Sequence, residues 1–443
     1  MIALRPSLHR ILDVLDFLID DQVGIIRYVI EITRDAGAPS FFHFYAQASN
    51  TAAFTSQQNF GSAGGASYDR GIAMAKAIGE AIERYCSAIY DITEFPVYSF
   101  ECAPFRCVPP RHFALYEHDQ FASSKFIYVP FEESTPVRWT TALDAMTGEV
   151  CHVPAAMVFM PYTYDVKGGE QPIVQPISTG LACHMSAAEA AISAICEVVE
   201  RDAFTITWQA QLGMPQIKQE TLSERNRDLL SRFQRTGNVV TVLNLTMDHC
   251  IPTVLSVLRS QSPDSPALVF AASSDLDPEK AVRKSLEELA HTRRLAQDFK
   301  INLPRFIPSR NFDNLVHQDD HVHMYCDASA SKFADFLFIS DHLVNFNEIK
   351  SLATGDSEED LSVLVTKVYE TNHQILICDL TTPDVEELGF SVVRAIIPGF
   401  HPLFMGHGNR ALGGSRLWEI PQKLGYKGII REAGDNPAPH PYP

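Results

Sequence analysis

The chain has 443 residues, 46% of them hydrophobic and 20% charged, with a formal net charge of −18; this is ordinary globular composition, which excludes wholesale disorder and a fibrous protein, and the length suggests two to three domains. The acidic balance argues against a nucleic-acid surface, which would show a basic face, and suits carboxylates gathered to hold cations. No run of about 18 uncharged apolar residues exists, which removes a membrane span, and the start MIALRPSLHRILDVLDFLIDD has Asp inside its apolar stretch and no cleavage site, so a cytoplasmic location is expected.

Residues 1–58 read as a helical start followed by FFHFYAQASN, an aromatic strand-like stretch, and are set apart as an N-terminal segment. Next comes GSAGGASYDRGIAMAKAIGEAIERYCSAIY, a glycine-rich turn running straight into a helix. Residues 98–176 are proline-rich and short-stranded, as in a β-rich segment with many turns. STGLACHMSAAEAAISAICEVVERDAFTITW then opens a second helix from a second glycine turn. NVVTVLNL, PTVLSVLRS and PALVFAAS are strand candidates, and a helix starts at Asp277-Pro278, with Asp as cap and Pro at the first helical position. HQILICDL and FSVVRAIIPG read as buried strands. Strands and helices without clean βαβ alternation indicate an α+β fold. The nine cysteines are scattered, without a Cys-x-x-Cys pair, so reduced, mostly buried thiols are expected rather than a disulfide frame or zinc knuckle.

The most informative feature is a repeat. Residues 77–84 read AIGEAIER and residues 194–201 read AICEVVER, an offset of 117 with five of eight positions identical. At about 100° per residue, Ile72, Ala75, Ile78, Ile82, Tyr85 and Ile89 form one stripe, while Lys76, Glu80, Glu83 and Arg84 share the opposite side. The second helix repeats this with Glu189, Ser193, Glu197, Glu200 and Arg201.

A solvated polar face is the common fate of such residues. Yet a surface that needs only polarity has no reason to reproduce ExxER twice. Four carboxylates converging from two helices would be costly unless cations filled the gap. Oxygen ligands in that number suit Mg²⁺ bridging to phosphate, with the arginines free to meet the phosphates. No GxxxxGK[ST], GxGxxG, HExxH or GxSxG occurs. On the third helix Glu288, His291 and Arg293 lie near one another, which by itself fits an exposed charged face.

These segments, with EELAHTR and DLTTPDVEELGFSVVRAIIPGFHPLFMGHGNRALGGSRLWEIP, resemble the YcaO family in order over roughly residues 59–430. The resemblance implies a YcaO-like α+β fold, with internally duplicated sheet-plus-helix units around an ATP/Mg cleft, and a catalytic domain over residues 59–430. It implies that Glu80, Glu83, Glu197 and Glu200 hold Mg²⁺ and that Arg84, Glu189, Arg201 and Arg293 contact or order ATP. Three positions depart from the family pattern: Lys76 stands in place of a serine, Thr179 of an asparagine and His291 of a glutamine. The first glycine loop also lacks the family's lysine, for which Lys76 would substitute from the helix.

The chain ends NPAPHPYP, prolines alternating at 437, 439, 441 and 443. Such a run is stiff and extended and joins neither helix nor central sheet; by itself it reads equally as a frayed terminus. Azoline-forming family members are similar in ending on PxPxP, a tail that points into the active site. This implies a catalytic role for the Pro443 carboxylate as general base, with residues 431–443 as a separate tail. Removal of the last residues or amidation of Pro443 is then expected to reduce cyclisation while nucleotide binding survives.

The activity so implied is ATP-dependent cyclodehydration of a ribosomal precursor peptide, giving thiazoline or oxazoline from Cys, Ser or Thr. The alternatives are YcaO-type thioamide or amidine formation, against which the tail weighs, and a non-catalytic scaffold that keeps the fold. No fused leader-binding domain is expected in a chain of this length. The expected partners are therefore the precursor peptide, a separate leader-binding protein resembling the ubiquitin-activating-enzyme fold, and a flavin dehydrogenase that oxidises azolines to azoles. No nucleic-acid or membrane partner is expected, and a homodimer is compatible with the sequence.

Overall fold

The computed structural model describes residues 6–35 and 37–442. The chain divides into two compact units, the first formed by Met1–Thr33, Phe42–Val198 and Gly355–Pro398, the second by Arg34–Phe41, Val199–Thr354 and Gly399–Pro443.

In the first unit, Ile26–Ile32, Phe42–Ala48 and Ser62–Ser67 make an antiparallel sheet in that order. The segment SAGGAS, expected as a turn, is therefore an edge strand. Its glycines serve close packing: a Cβ on Gly65 would fall against the Ala73 carbonyl oxygen and 2.6 Å from Ala77 N. The Arg70–Cys86 helix can settle on this strand only because Gly65 has no side chain. Asp69 caps that helix, accepting from the Ile72 N–H at 3.0 Å.

The helix buries Ala73, Ala77, Ile78, Ala81 and Ile82. Its packing face is thus turned toward the alanines relative to the expected stripe, and Ile72, Ala75 and Ile89 are only half-buried. A second antiparallel sheet runs in the order Val97–Tyr98, Val137–Asp144, Leu376–Asp379, Ser391–Ile396 and Leu181–His184, with Val150–Pro154 paired to Val137–Asp144. Ile78 and Ile82 share one apolar core with Leu376 and Val392.

The second unit holds a five-stranded sheet in the order Leu268–Ser274, Thr253–Ser260, Asn238–Asn244, Gln216–Ile217 and Leu343–Val344. Its pairs are antiparallel except the last, which is parallel. The Pro278–Asn302 helix packs on it through contacts such as Ser285 Oγ to Ser256 Oγ at 2.8 Å. It begins as expected, with Asp277 accepting from the Glu279 N–H at 3.0 Å and Pro278 in the first turn. The fold is α+β, as the pattern of elements indicates.

The Ala187–Gln209 helix carries the second copy of the repeat; its residues through Val198 belong to the first unit and those from Val199 to the second. All nine cysteines are free thiols, and Cys86, Cys151, Cys196, Cys326 and Cys378 are buried. Among the described residues no helix is long and apolar enough to cross a membrane.

Candidate functional site

The repeat seen in the sequence is also a repeat of hydrogen bonds. In the first copy, the Gly64 N–H donates to Glu80 Oε2 at 2.7 Å. In the second, the Gly180 N–H donates to Glu197 Oε2 at 3.1 Å. Each glycine precedes its helix, so the turn or strand that enters the helix also orients the first Glu of ExxER. Gly180 has φ +86°, and a Cβ there would meet the Ala395 carbonyl oxygen and, at 2.9 Å, Val198 Cγ2. Only glycine meets both demands.

Glu83 links the copies: its Oε1 accepts from the Cys183 N–H at 2.9 Å, in the strand leading to the second helix. Arg84 reaches back one turn to Glu80, Nη2 to Oε1 at 3.1 Å. Burial raises the Glu83 pKa well above the usual carboxylate range, and the nearby charges of Glu80 and Glu197 raise it further. These side chains are therefore not a solvated face. The first unit thus sets Glu83 against the charges of Glu80 and Glu197, a repulsion that a cation would relieve.

Glu200 follows Glu197 by one helical turn and is buried. Its Oε1 accepts from the Tyr442 hydroxyl at 2.6 Å and lies 3.4 Å from Arg201 Nη1. Behind Arg201, Asp202 holds Arg416 in a bidentate pair, Nε to Oδ1 at 2.8 Å and Nη2 to Oδ2 at 2.7 Å, and Arg416 Nη2 also reaches Asp248 at 2.8 Å. Such a planar two-point contact fixes helix and loop geometry more tightly than a point charge would. Asp202 thereby anchors the helix immediately beyond Glu200 and Arg201.

The remaining expected residues lie as follows. Lys76 donates from Nζ to the Ala66 carbonyl at 3.1 Å, which puts its ammonium beside the glycine strand. Glu189 sits in the first turn of the second helix; its backbone N–H reaches Ser186 Oγ at 3.3 Å and its Oε2 lies 2.7 Å from His184 Nδ1. Arg293 is buried on its helix, donating to Gln297 Oε1 at 3.2 Å, with Nε making no hydrogen bond. Burial pulls the Arg293 pKa below its ordinary value. His291 lies 3.5 Å from Glu288 on the same helix. Pro443 lies outside the described residues.

The tail up to Tyr442 is not a loose end. Asn436 caps the second helix, donating from Nδ2 to the Trp208 carbonyl at 3.1 Å and from its backbone N–H to the Gln209 carbonyl at 2.8 Å. Trp208 Nε1 donates to the Ala438 carbonyl at 2.9 Å, Tyr325 Oη to the Pro439 carbonyl at 2.6 Å, and His321 Nδ1 to the His440 carbonyl at 2.7 Å. The alternating prolines have no N–H to satisfy, so carbonyls are their only main-chain handles.

Sequence reasoning missed Arg394. It lies in the Ser391–Ile396 strand, buried, with Nε and Nη1 making no hydrogen bond. Burial lowers its pKa to about 10, against the raising influence of Glu197. The available signal was one Arg inside the apolar run FSVVRAII. Tyr442 carries no sequence signal of its own among the alternating prolines.

Among the described residues no three His, Cys, Asp or Glu side chains already form a metal-binding group; the carboxylates are held on N–H and hydroxyl donors instead. The donor chemistry nevertheless fits a hard divalent cation: carboxylate oxygens dominate, and Glu83 carries a penalty for its charge that the Cys183 N–H and Arg84 offset only in part.

The sequence matches over residues 64–401 the family model described as "YcaO cyclodehydratase, ATP-ad Mg2+-binding". A relative from Methanothermobacter thermautotrophicus, itself uncharacterised, is 26% identical over 272 residues, covering 59% of this chain and 65% of its own. A solved "Heterocyclase in complex with substrate and Cofactor" superposes with a TM-score of 0.80 at 20% identity, over 98% of this chain and 57% of that one. YcaO from Methanopyrus kandleri, bound with AMPPCP and Mg²⁺, gives 0.61 at 19% identity, over 85% and 86%. A chain of the E. coli microcin synthetase McbBCD complex with pro-MccB17 bound gives 0.59 at 16% identity, over 95% and 100%. This chain thus spans less than two thirds of the length of the first two, and at these identities the structural likenesses show the fold.

Proposed function

The chain belongs to the YcaO family, an ATP-dependent enzyme family that binds ATP and Mg²⁺, and from that premise we propose that it is a peptide cyclodehydratase forming thiazoline or oxazoline rings on a ribosomal precursor. The observation that carries the reading is the acidic cluster: Glu80, Glu83 and Glu197 are each held by a backbone N–H beside the two helices, and Glu83, in the field of the other two, is strained toward its neutral form. In this reading Glu80, Glu83 and Glu197, with Glu200 one turn further along its helix, hold Mg²⁺. Arg84, Arg201 and Arg293 meet or order the phosphates, Glu189 orders the nucleotide side, and Lys76 supplies the charge that the glycine strand lacks.

ATP with Mg²⁺ supplies the phosphoryl group that turns a backbone amide oxygen into a leaving group. A substrate Cys, Ser or Thr loses its side-chain proton and attacks the preceding carbonyl carbon, and the oxyanion so formed takes the γ-phosphoryl group, releasing ADP. Loss of the amide N–H proton then closes the C=N bond as phosphate departs, so the net change is one water removed. The chain's own task is positioning and charge neutralisation. The Pro443 carboxylate is assigned as the base, and the fixed course of the tail through residue 442 supports that assignment. A stiff tail places one carboxylate at low entropic cost.

The precursor peptide is the substrate, and a separate leader-binding protein resembling the ubiquitin-activating-enzyme fold is the proposed partner. The likeness to one chain of a multiprotein microcin synthetase supports a partner of this kind. A flavin dehydrogenase would follow where azoles are made. Peptide-dependent ADP release tests the enzyme reading; none with partner and precursor present would sink it.

A further inference from the structure

The proposed function uses the tail through Pro443, yet Tyr442 makes the more specific contacts. Tyr442 is 2% exposed. Its hydroxyl accepts from the Ala272 N–H at 3.1 Å and donates to Glu200 Oε1 at 2.6 Å. Ala272 belongs to Leu268–Ser274, the strand at one edge of the five-stranded sheet. One hydroxyl therefore satisfies an open donor of the sheet edge and aims a carboxylate. A separation of 2.6 Å is that of a charge-assisted O–H···O⁻ bond.

The ring does a second job. The Arg201 guanidinium carbon lies 4.4 Å from the Tyr442 ring centroid, within cation–π range. Glu200 and Arg201 are neighbours in the second ExxER copy, so a single side chain of the tail orients both. In the first copy the corresponding groups are held locally, Glu83 by the Cys183 N–H and Arg84 by Glu80. The second copy of the repeat is thus completed by the tail.

We infer that Tyr442 is a positioning residue for the second copy, its hydroxyl setting Glu200 for metal and its ring setting Arg201 for phosphate. The inference rests on the reading of Glu200 and Arg201 as metal and nucleotide ligands. It revises the expectation that nucleotide binding survives loss of the last residues: removal through Tyr442 weakens Mg²⁺-nucleotide binding as well as ring closure. By linkage, bound Mg²⁺-nucleotide also holds the tail more firmly in place.

The test uses the full chain, a fluorescent ATP analogue and MgCl₂ titration, with Tyr442→Phe and Tyr442→Leu. Phe keeps the ring and loses the hydroxyl. It should raise the Mg²⁺ concentration for half-saturation by roughly tenfold, the scale of one hydrogen bond to a charged group, while leaving metal-free analogue binding intact. Leu loses both contacts and should weaken metal-free binding too. A purely structural role would instead lower the ligand-free thermal midpoint without separating the two variants in this way.

Hydrogen exchange in the unaltered protein gives an independent reading, because the Tyr442 N–H, bonded to His440 Nδ1 at 3.2 Å, should exchange more slowly once Mg²⁺ and the analogue are added. Wild-type Mg²⁺ dependence in Tyr442→Phe, or unchanged exchange at Tyr442, overturns the inference alone. Failure of the unaltered protein to bind the analogue at any Mg²⁺ concentration overturns the proposed function and the inference with it.

Discussion

At the scale of residues, the acidic cluster sets function against stability. Glu83 has a folded-state pKa well above the ordinary carboxylate value, through burial and then through Glu80 and Glu197. A raised carboxylate pKa contributes stability below the unfolded value that is lost as pH rises through the folded one. The cost of charging Glu83 therefore weighs on the ligand-free fold at every pH above the unfolded value. Glu83→Gln should raise the ligand-free thermal midpoint, by the equivalent of about 1 kcal/mol, while reducing Mg²⁺-dependent nucleotide binding at least tenfold. Calorimetry with and without Mg²⁺ and nucleotide checks both halves. A variant that is less stable and binds normally would contradict the role given to Glu83.

At the scale of elements, the first glycine segment is a strand where a turn was expected, whereas Gly180 lies in a turn as expected. Gly65 lets the Arg70–Cys86 helix lie against its strand, and Gly180 combines a left-handed backbone with close approach to Ala395. Gly65→Ala should cost about 1–3 kcal/mol by overpacking, read as a lower denaturation midpoint, and should also weaken nucleotide binding, since Gly64 next to it holds Glu80. A midpoint equal to wild type would show that the contact is less tight than described.

The duplicated helices were legible because ExxER recurs at a fixed offset and helical periodicity puts its charges on one side. The donors that hold those charges were not legible, because a backbone N–H has no residue type to read. The alanine packing face escaped for a related reason: periodicity ranks isoleucine over alanine, whereas closeness to Gly65 selects the smaller side chain. His440 and His321, which pin the tail, gave no signal because their partners lie far along the chain.

At the scale of the whole molecule, the tail makes the fold sensitive to acid. His321 donates from Nδ1 to the His440 carbonyl and accepts at Nε2 from the Gly406 N–H at 3.0 Å. His440 donates from Nε2 to the Phe404 carbonyl at 2.7 Å and accepts at Nδ1 from the Tyr442 N–H. Each ring is thus satisfied in one neutral tautomer, and a second proton would set N–H against N–H. The rings also stack, with centroids 3.9 Å apart.

Burial lowers the His321 pKa from 6.5 to about 4, lowers His407 to about 3, and brings His440 well below its ordinary value. Folded-state values below the unfolded one mean stability that is present above about pH 6.5 and lost as pH falls toward 4. Denaturation midpoints measured between about pH 7.5 and pH 5 should therefore fall as the solution is acidified. A midpoint that rises or stays flat over that interval would contradict the neutral pinning of the tail.

The central claim is that the acidic repeat and the tail together drive dehydration of a peptide backbone. It is tested most directly by mass spectrometry of a candidate precursor peptide after incubation with the chain, ATP, Mg²⁺ and the leader-binding partner. The account predicts loss of one water for each modified Cys, Ser or Thr, matched by one ADP and dependent on Glu83 and Pro443. ATP consumption with a peptide that gains sulfur, or a peptide left unchanged, would contradict it.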